Sequence, residues 1–142
     1  MTEIKAGYLR VLIVDDSAVS RLAMRAMLQK AGFKHLDEAE NTSIAHDKMA
    51  ALRYDIVFLD WVMPGRSGIS LLEEWREDRN YDDVAVCVVS MNNDKAHIAG
   101  AMKAGANSYV VKPPSEESLQ KGIDKAIEWL TLRRAYAEKH HD

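Results

Sequence analysis

Short apolar blocks alternate along the chain with longer stretches in which apolar residues recur every three or four positions. The first block covers residues 8–14 (YLRVLIV) and ends in Asp15 and Asp16. Ser17 follows as a helix cap. Val19, Leu22, Ala23, Ala26 and Met27 then recur at helical spacing, and Gly32 supplies a stop. A weak strand is expected over residues 34–39, and Thr42 is the expected cap of a second helix running to about Leu52. Residues 55–60 (DIVFLD) form a continuous apolar run bounded by acids, as a parallel strand buried on both faces requires. Pro64, Gly65 and Gly68 mark a loop, and Ile69, Leu72 and Trp75 carry the third helix.

The second half repeats the alternation. Residues 84–89 (VAVCVV) predict a fourth buried strand, about 93–104 a helix stopped by Gly105, and 107–111 a short fifth strand. Pro113 and Pro114 interrupt the chain. Ser115 caps a last helix whose first turn carries Glu116 and Glu117, the favourable sign for the helix dipole. Leu119, Ile123, Ala126, Ile127 and Leu130 form its core stripe. Trp129, Leu132 and Tyr136 define another face, which suits a partner, a second copy, or packing on the domain itself. This pattern runs on to about Glu138. Strands alternating with helices predict a parallel sheet covered on both faces, with right-handed crossovers.

Composition narrows the class. At 142 residues the chain fits one domain: a core over about 8–130 and a helix extension and tail over 131–142. A net charge of −3 argues against a nucleic-acid-binding domain. A single cysteine, Cys87, excludes a disulfide framework and suits a reducing compartment, where it reads as inert core. No apolar run approaches the ~20 residues of a membrane-spanning helix, and residues 1–7 have no signal-peptide core, so the expected location is cytoplasmic. Met24, Met27, Met49 and Met102 read as core filler, and His35, His46 and His97 as surface residues without metal-ligand spacing.

In an open α/β sheet the active crevice lies at the carboxyl ends of the strands. That rule selects Asp15 and Asp16, then Asp60, Ser90 and Lys112. Taken singly, Asp15 and Asp16 cap a helix equally well, and Lys112 reads as a solvated surface lysine. Together the carboxylates repel, and a hard divalent cation relieves them. Mg²⁺ with a lysine and a hydroxyl suits phosphoryl transfer, and a carboxylate can itself be the nucleophile.

On these residues the sequence resembles the receiver domains of two-component response regulators, chemotaxis regulators among them. The matching segments are residues 11–17 (VLIVDDS), 60–68 (DWVMPGRSG), 88–90 (VVS) and 109–113 (YVVKP). The resemblance implies a flavodoxin-like, doubly wound five-stranded parallel sheet of order 2-1-3-4-5 with five helices. It implies that Asp60 accepts a phosphoryl group from a histidine kinase or phosphotransfer protein, with Mg²⁺, or Mn²⁺ in its place. Asp16, Asp60 and the Val62 backbone carbonyl would hold the metal, with Asp15 acting mainly through water. Ser90 and Lys112 would bind phosphoryl oxygens, Tyr109 would act with Ser90 as the switch, and the Lys112–Pro113 bond would be cis. A downstream protein would read the face formed by the fourth helix, fifth strand and fifth helix, a homodimer being the alternative. Neither direct nucleic-acid contact nor membrane insertion is expected. Such a chain is not an enzyme beyond catalysing its own phosphorylation and dephosphorylation. Met91, a long thioether where small residues are usual, and Val62 and Asn92, at the two variable flanking positions, point to slow self-dephosphorylation.

Overall fold

The computed structural model describes residues 4–140. Its strands are β1 (Arg10–Val14), β2 (His35–Ala39), β3 (Ile56–Asp60), β4 (Ala85–Ser90) and β5 (Ser108–Val111). Its helices are α1 (Ala18–Lys30), α2 (Thr42–Ala51), α3 (Gly68–Glu77), α4 (Lys95–Ala104) and α5 (Glu116–His140). The strands form one parallel sheet in the order β2-β1-β3-β4-β5, the flavodoxin-like arrangement expected from the sequence.

Alternation along each strand divides the core. Val11, Ile13, Ile56, Phe58, Cys87, Val89 and Val110 point to one face and pack with Met24 and Leu28 of α1 and Leu119, Ile123, Ala126 and Leu130 of α5. Leu12, Val14, Val57, Leu59, Val86 and Val88 point to the other, against α2, α3 and α4. β3 and β4 are therefore buried along their whole length, which is why they read as unbroken apolar runs. Burial pushes the Cys87 thiol up to about 12, so it stays a neutral core group.

Several expectations change. Residues 6–8 form a 3₁₀ turn, so β1 starts at Arg10 and Tyr8 is exposed. Asn41, not Thr42, caps α2: its side-chain oxygen accepts from Ile44 N–H at 2.8 Å, while Thr42 is the buried first residue of the helix. Asp94 caps α4, which begins at Lys95. The apolar residues spaced along α1 do not all face the core. Its core face is Met24 and Leu28, and Val19 and Leu22 are 79% and 68% exposed. Two helical stripes were available in that sequence, and the other one carries Arg21 and Arg25, whose guanidiniums find partners on β2. Met102 is exposed on α4, unlike Met24 and Met49.

Ser115 and Ser118 cap α5 reciprocally, each side chain accepting from the other's backbone N–H at 3.0 Å. The expected second face of α5 divides. Trp129 lies against its own domain between the guanidiniums of Arg76 and Arg133, whereas Leu132 and Tyr136 are exposed. Arg133 and Arg134 pair with Asp83 and Asp55 at 2.8 and 2.7 Å, holding the helix end under the sheet. Among the described residues no helix is long and apolar enough to cross a membrane.

Candidate functional site

The carboxyl ends of β1, β3, β4 and β5 bring the selected residues to one edge of the sheet. Asp15, Asp60 and Ser90 are buried there, and Asp16 is exposed. One oxygen from each of Asp15, Asp16 and Asp60 lies within 4.8 Å of the others. Lys112 Nζ donates to Asp15 Oδ2 at 2.7 Å and to Asp60 Oδ2 at 3.3 Å, so its ammonium bridges two strand ends. The remaining oxygens are held locally: Ser17 N–H donates to Asp15 Oδ1 at 2.9 Å and Val62 N–H to Asp60 Oδ1 at 3.3 Å.

The loops are set by particular contacts. Gly68 opens α3 directly beneath the end of β3, where an added Cβ would stand 2.0 Å from the Asp60 carbonyl oxygen. Only glycine permits that approach. After β4, Asn92 N–H donates to Ser90 Oγ at 3.2 Å, and the Tyr109 hydroxyl donates to the Asn92 carbonyl at 2.6 Å. The Lys112–Pro113 peptide is cis, as expected.

Burial is the largest influence on Asp60 and raises its carboxyl above the ordinary range. The Asp15 charge adds to this, and Lys112 opposes it. Burial also works against the Lys112 charge, but the bond to Asp15 and the charges of Asp60 and Asp15 outweigh it and hold the ammonium above its ordinary value. The site is thus a buried carboxylate that is costly to ionise, beside a firmly protonated lysine.

The donor set fits a hard divalent cation. Mg²⁺ holds oxygens at about 2.0–2.1 Å, which places opposite ligands roughly 4 Å apart. Oxygens within 4.8 Å of one another approach that spacing, and the exposure of Asp16 leaves room for coordinated water. An open cleft of about 790 Å³ lies above them, lined also by Val19, Val62, Met91 and Pro114.

A family model described as the response regulator receiver domain matches residues 11–124, most of the chain and all five strands. This chain belongs to that family. The receiver domain is 33% identical over 122 residues to the chemotaxis protein CheY-3 of Vibrio cholerae serotype O1, covering 86% of this chain and 94% of that one. It is 33% identical over 120 residues to the chemotaxis protein CheY of Pseudomonas aeruginosa, covering 84% and 97%. Among solved structures it resembles the chemotaxis response regulator CheY4 of Vibrio cholerae, with a TM-score of 0.76 and 25% identity over 83% of this chain and 98% of that one. It also resembles a probable two-component response regulator/GGDEF domain protein, with a TM-score of 0.81 and 29% identity over 89% of this chain and 52% of that one. It is therefore a chemotaxis-regulator-like receiver domain, a signalling module rather than a turnover enzyme.

Around the cluster, the receiver domain exposes Met91 by 80% and Val62 by 64%, so both side chains stand at the rim of the cleft. Sequence reasoning missed two features. Arg21 of α1 donates to the Asp15 carbonyl at 2.6 Å and to Glu38 at 3.0 Å. Trp61, next to Asp60, meets His97 of α4 edge-on with ring centroids 5.1 Å apart. The spacing of Arg21 and Arg25 put both on one side of α1, but only the fold brings Glu38 between them.

Proposed function

We propose that Asp60 is the phosphoacceptor of this receiver domain and that its phosphorylation is metal-assisted. The observation that carries this reading is the bridging of Asp15 and Asp60 by Lys112 beside Asp16, which no structural need of the sheet explains. An Asp60 oxygen attacks the phosphorus of a phosphohistidine on a sensor kinase or phosphotransfer protein. The O–P bond forms as the N–P bond breaks, and its electron pair returns to the imidazole. Asp16, Asp60 and the Val62 carbonyl would hold Mg²⁺ (Mn²⁺ would fit the same oxygens), with Asp15 acting through water. Held there, the cation would supply charge neutralisation for the transferring group. Lys112 and Ser90 bind phosphoryl oxygens.

The new charge draws Ser90 and its loop toward Asp60. The bond from Tyr109 to the Asn92 carbonyl carries that shift to β5. The face of α4, β5 and α5 then presents the signal to a downstream protein, a second copy of the chain being the alternative. Exposed Lys95, Lys103, Lys121 and Lys125 on α4 and α5 suit an acidic partner. The module comprises about residues 8–130, with the rest of α5 and the tail as an extension, of which 141–142 lie outside the described residues. Val62, Met91 and Asn92 set a slow self-dephosphorylation, since Val62 has no side-chain polar group to hold an attacking water. Aspartyl-phosphate lifetimes that are equal in wild type and Met91→Ala remove the Met91 part of this.

Incubation with acetyl phosphate and Mg²⁺ followed by intact-mass measurement is the direct test. One phosphoryl adduct is expected on wild type, none on Asp60→Asn, and none in excess EDTA. An adduct that survives Asp60→Asn overturns the assignment.

A further inference from the structure

Arg21 makes two contacts that the phosphoacceptor chemistry does not call on. Its Nη1 donates to the Asp15 carbonyl oxygen at 2.6 Å, the atom that begins the peptide joining Asp15 to Asp16. Its Nε donates to Glu38 Oε1 at 3.0 Å, and its side chain is only 14% exposed. Glu38 is itself fixed: Arg25 Nε holds Oε2 at 2.7 Å, and Lys48 Nζ holds its carbonyl at 2.5 Å. Asp15 N–H pairs with the Ala39 carbonyl at 3.1 Å. β2 thus holds the peptide that enters Asp15, and the Arg21 guanidinium holds the carbonyl of the peptide that leaves it for Asp16.

The Asp15 side chain is also held by Ser17 and Lys112, but among the described residues none hydrogen-bonds to the Asp16 carboxylate, which is exposed. The backbone sets where its Cα–Cβ bond points, and so the range its oxygens can reach. A metal ligand without a side-chain anchor depends on the peptide that carries it, because small rotations there move its oxygens by ångströms.

We infer that Arg21, anchored by Glu38, is a positioning residue that aims Asp16 for the divalent cation by fixing the Asp15–Asp16 peptide. This rests on the metal-assisted reading of the acidic cluster.

Electrostatics and positioning predict opposite signs here. Arg21 is a cation close to the cluster, so deleting its charge favours a bound cation if charge alone matters. If Arg21 positions Asp16, deleting it weakens binding. Arg25 is the internal control: it shares Glu38 and makes its other bond to the Leu36 carbonyl, away from the acids.

The experiment titrates the full chain with Mg²⁺ by calorimetry and by tryptophan fluorescence, Trp61 adjoining Asp60. Urea unfolding in EDTA reports the metal-free fold. Arg21→Met is expected to weaken Mg²⁺ by about tenfold to a hundredfold, the usual loss for a group that orients a metal ligand. Arg25→Met is expected to stay within about twofold, although both variants lose metal-free stability. Arg21→Lys, whose single ammonium cannot serve both acceptors, should fall between wild type and Arg21→Met, and it decides the matter if Arg21→Met does not fold. An Mg²⁺ affinity in Arg21→Met that is unchanged, raised, or lowered only as far as in Arg25→Met overturns the inference while leaving the metal site intact. A wild-type chain that binds no Mg²⁺ overturns the metal-assisted reading itself, and the inference with it.

Discussion

Replacing the proposed acceptor by its neutral isostere, Asp60→Asn, should stabilise the metal-free protein. Two unit charges about 4 Å apart interact by roughly 4 kcal/mol at the effective dielectric of ~20 that suits protein sites. Asp60 receives attraction of that order from Lys112 at 3.3 Å, but Lys112 lies closer to Asp15, at 2.7 Å. It meets repulsion from Asp15 and Asp16, whose oxygens lie within 4.8 Å, the Asp16 share being screened by solvent. These nearly cancel, which leaves the burial cost of a side chain only 10% exposed, a net penalty of about 1–2 kcal/mol on the ionised group. The melting temperature in EDTA at neutral pH should therefore rise by about 3–8 °C. The sign with pH is the reverse of the usual carboxylate. The folded-state value is raised, so wild type carries the penalty above that value and sheds it as the acid protonates. The advantage of Asp60→Asn should appear as pH rises through the raised carboxyl range and be absent in acid. Excess Mg²⁺ should narrow the gap, because wild type gains more from it: a hundredfold excess over Kd is worth about 2.7 kcal/mol. Calorimetric melts across pH, with and without Mg²⁺, give the answer. An Asp60→Asn melting temperature at or below wild type in EDTA at neutral pH would refute the reasoning and mean that Lys112 outweighs burial and repulsion.

Other outcomes follow from single contacts. Glu38 is held below its ordinary value of 4.5, first by the bond from Arg25 and against the effect of burial, so its contribution is present above that value and lost as pH falls through the folded one. Glu38→Gln should cost about 1–2 kcal/mol at neutral pH in urea unfolding, with the deficit vanishing in acid; a deficit independent of pH would exclude the ion pairs as its cause. Gly68→Ala should cost about 3 kcal/mol and also slow acetyl-phosphate labelling, since its Cβ meets the Asp60 carbonyl. Gly65→Ala, with φ +82° and open space, should cost about 1 kcal/mol and leave labelling alone; equal effects on labelling would separate Gly68 from the site. Tyr109→Ala should bind an acyl-phosphate analogue but show a reduced shift in the α4-β5-α5 face by NMR, and a shift as full as wild type would remove Tyr109 from the switch.

Much of this was written in the order of the residues. Parallel strands buried on both faces need unbroken apolar runs, so β3 and β4 were legible. Because ligand sites in an open α/β sheet gather at strand carboxyl ends, so was the meeting of Asp15, Asp16, Asp60, Ser90 and Lys112 at one edge. The face of α1 was not legible. Val19 and Leu22 offered an apolar stripe as regular as Met24 and Leu28, and local periodicity cannot choose between them. The choice came from β2, where Glu38 lies between Arg21 and Arg25 and turns their side of the helix inward. Trp129 and Leu132 likewise share a spacing, yet only Trp129 meets two guanidiniums. The sequence by itself determined the sheet and which polar side chains meet at its edge, since both follow from local patterns and strand direction. Tertiary structure alone decided which helix face is covered and that Arg21 grips the Asp15 carbonyl, because those depend on charges far apart in the chain meeting across the fold.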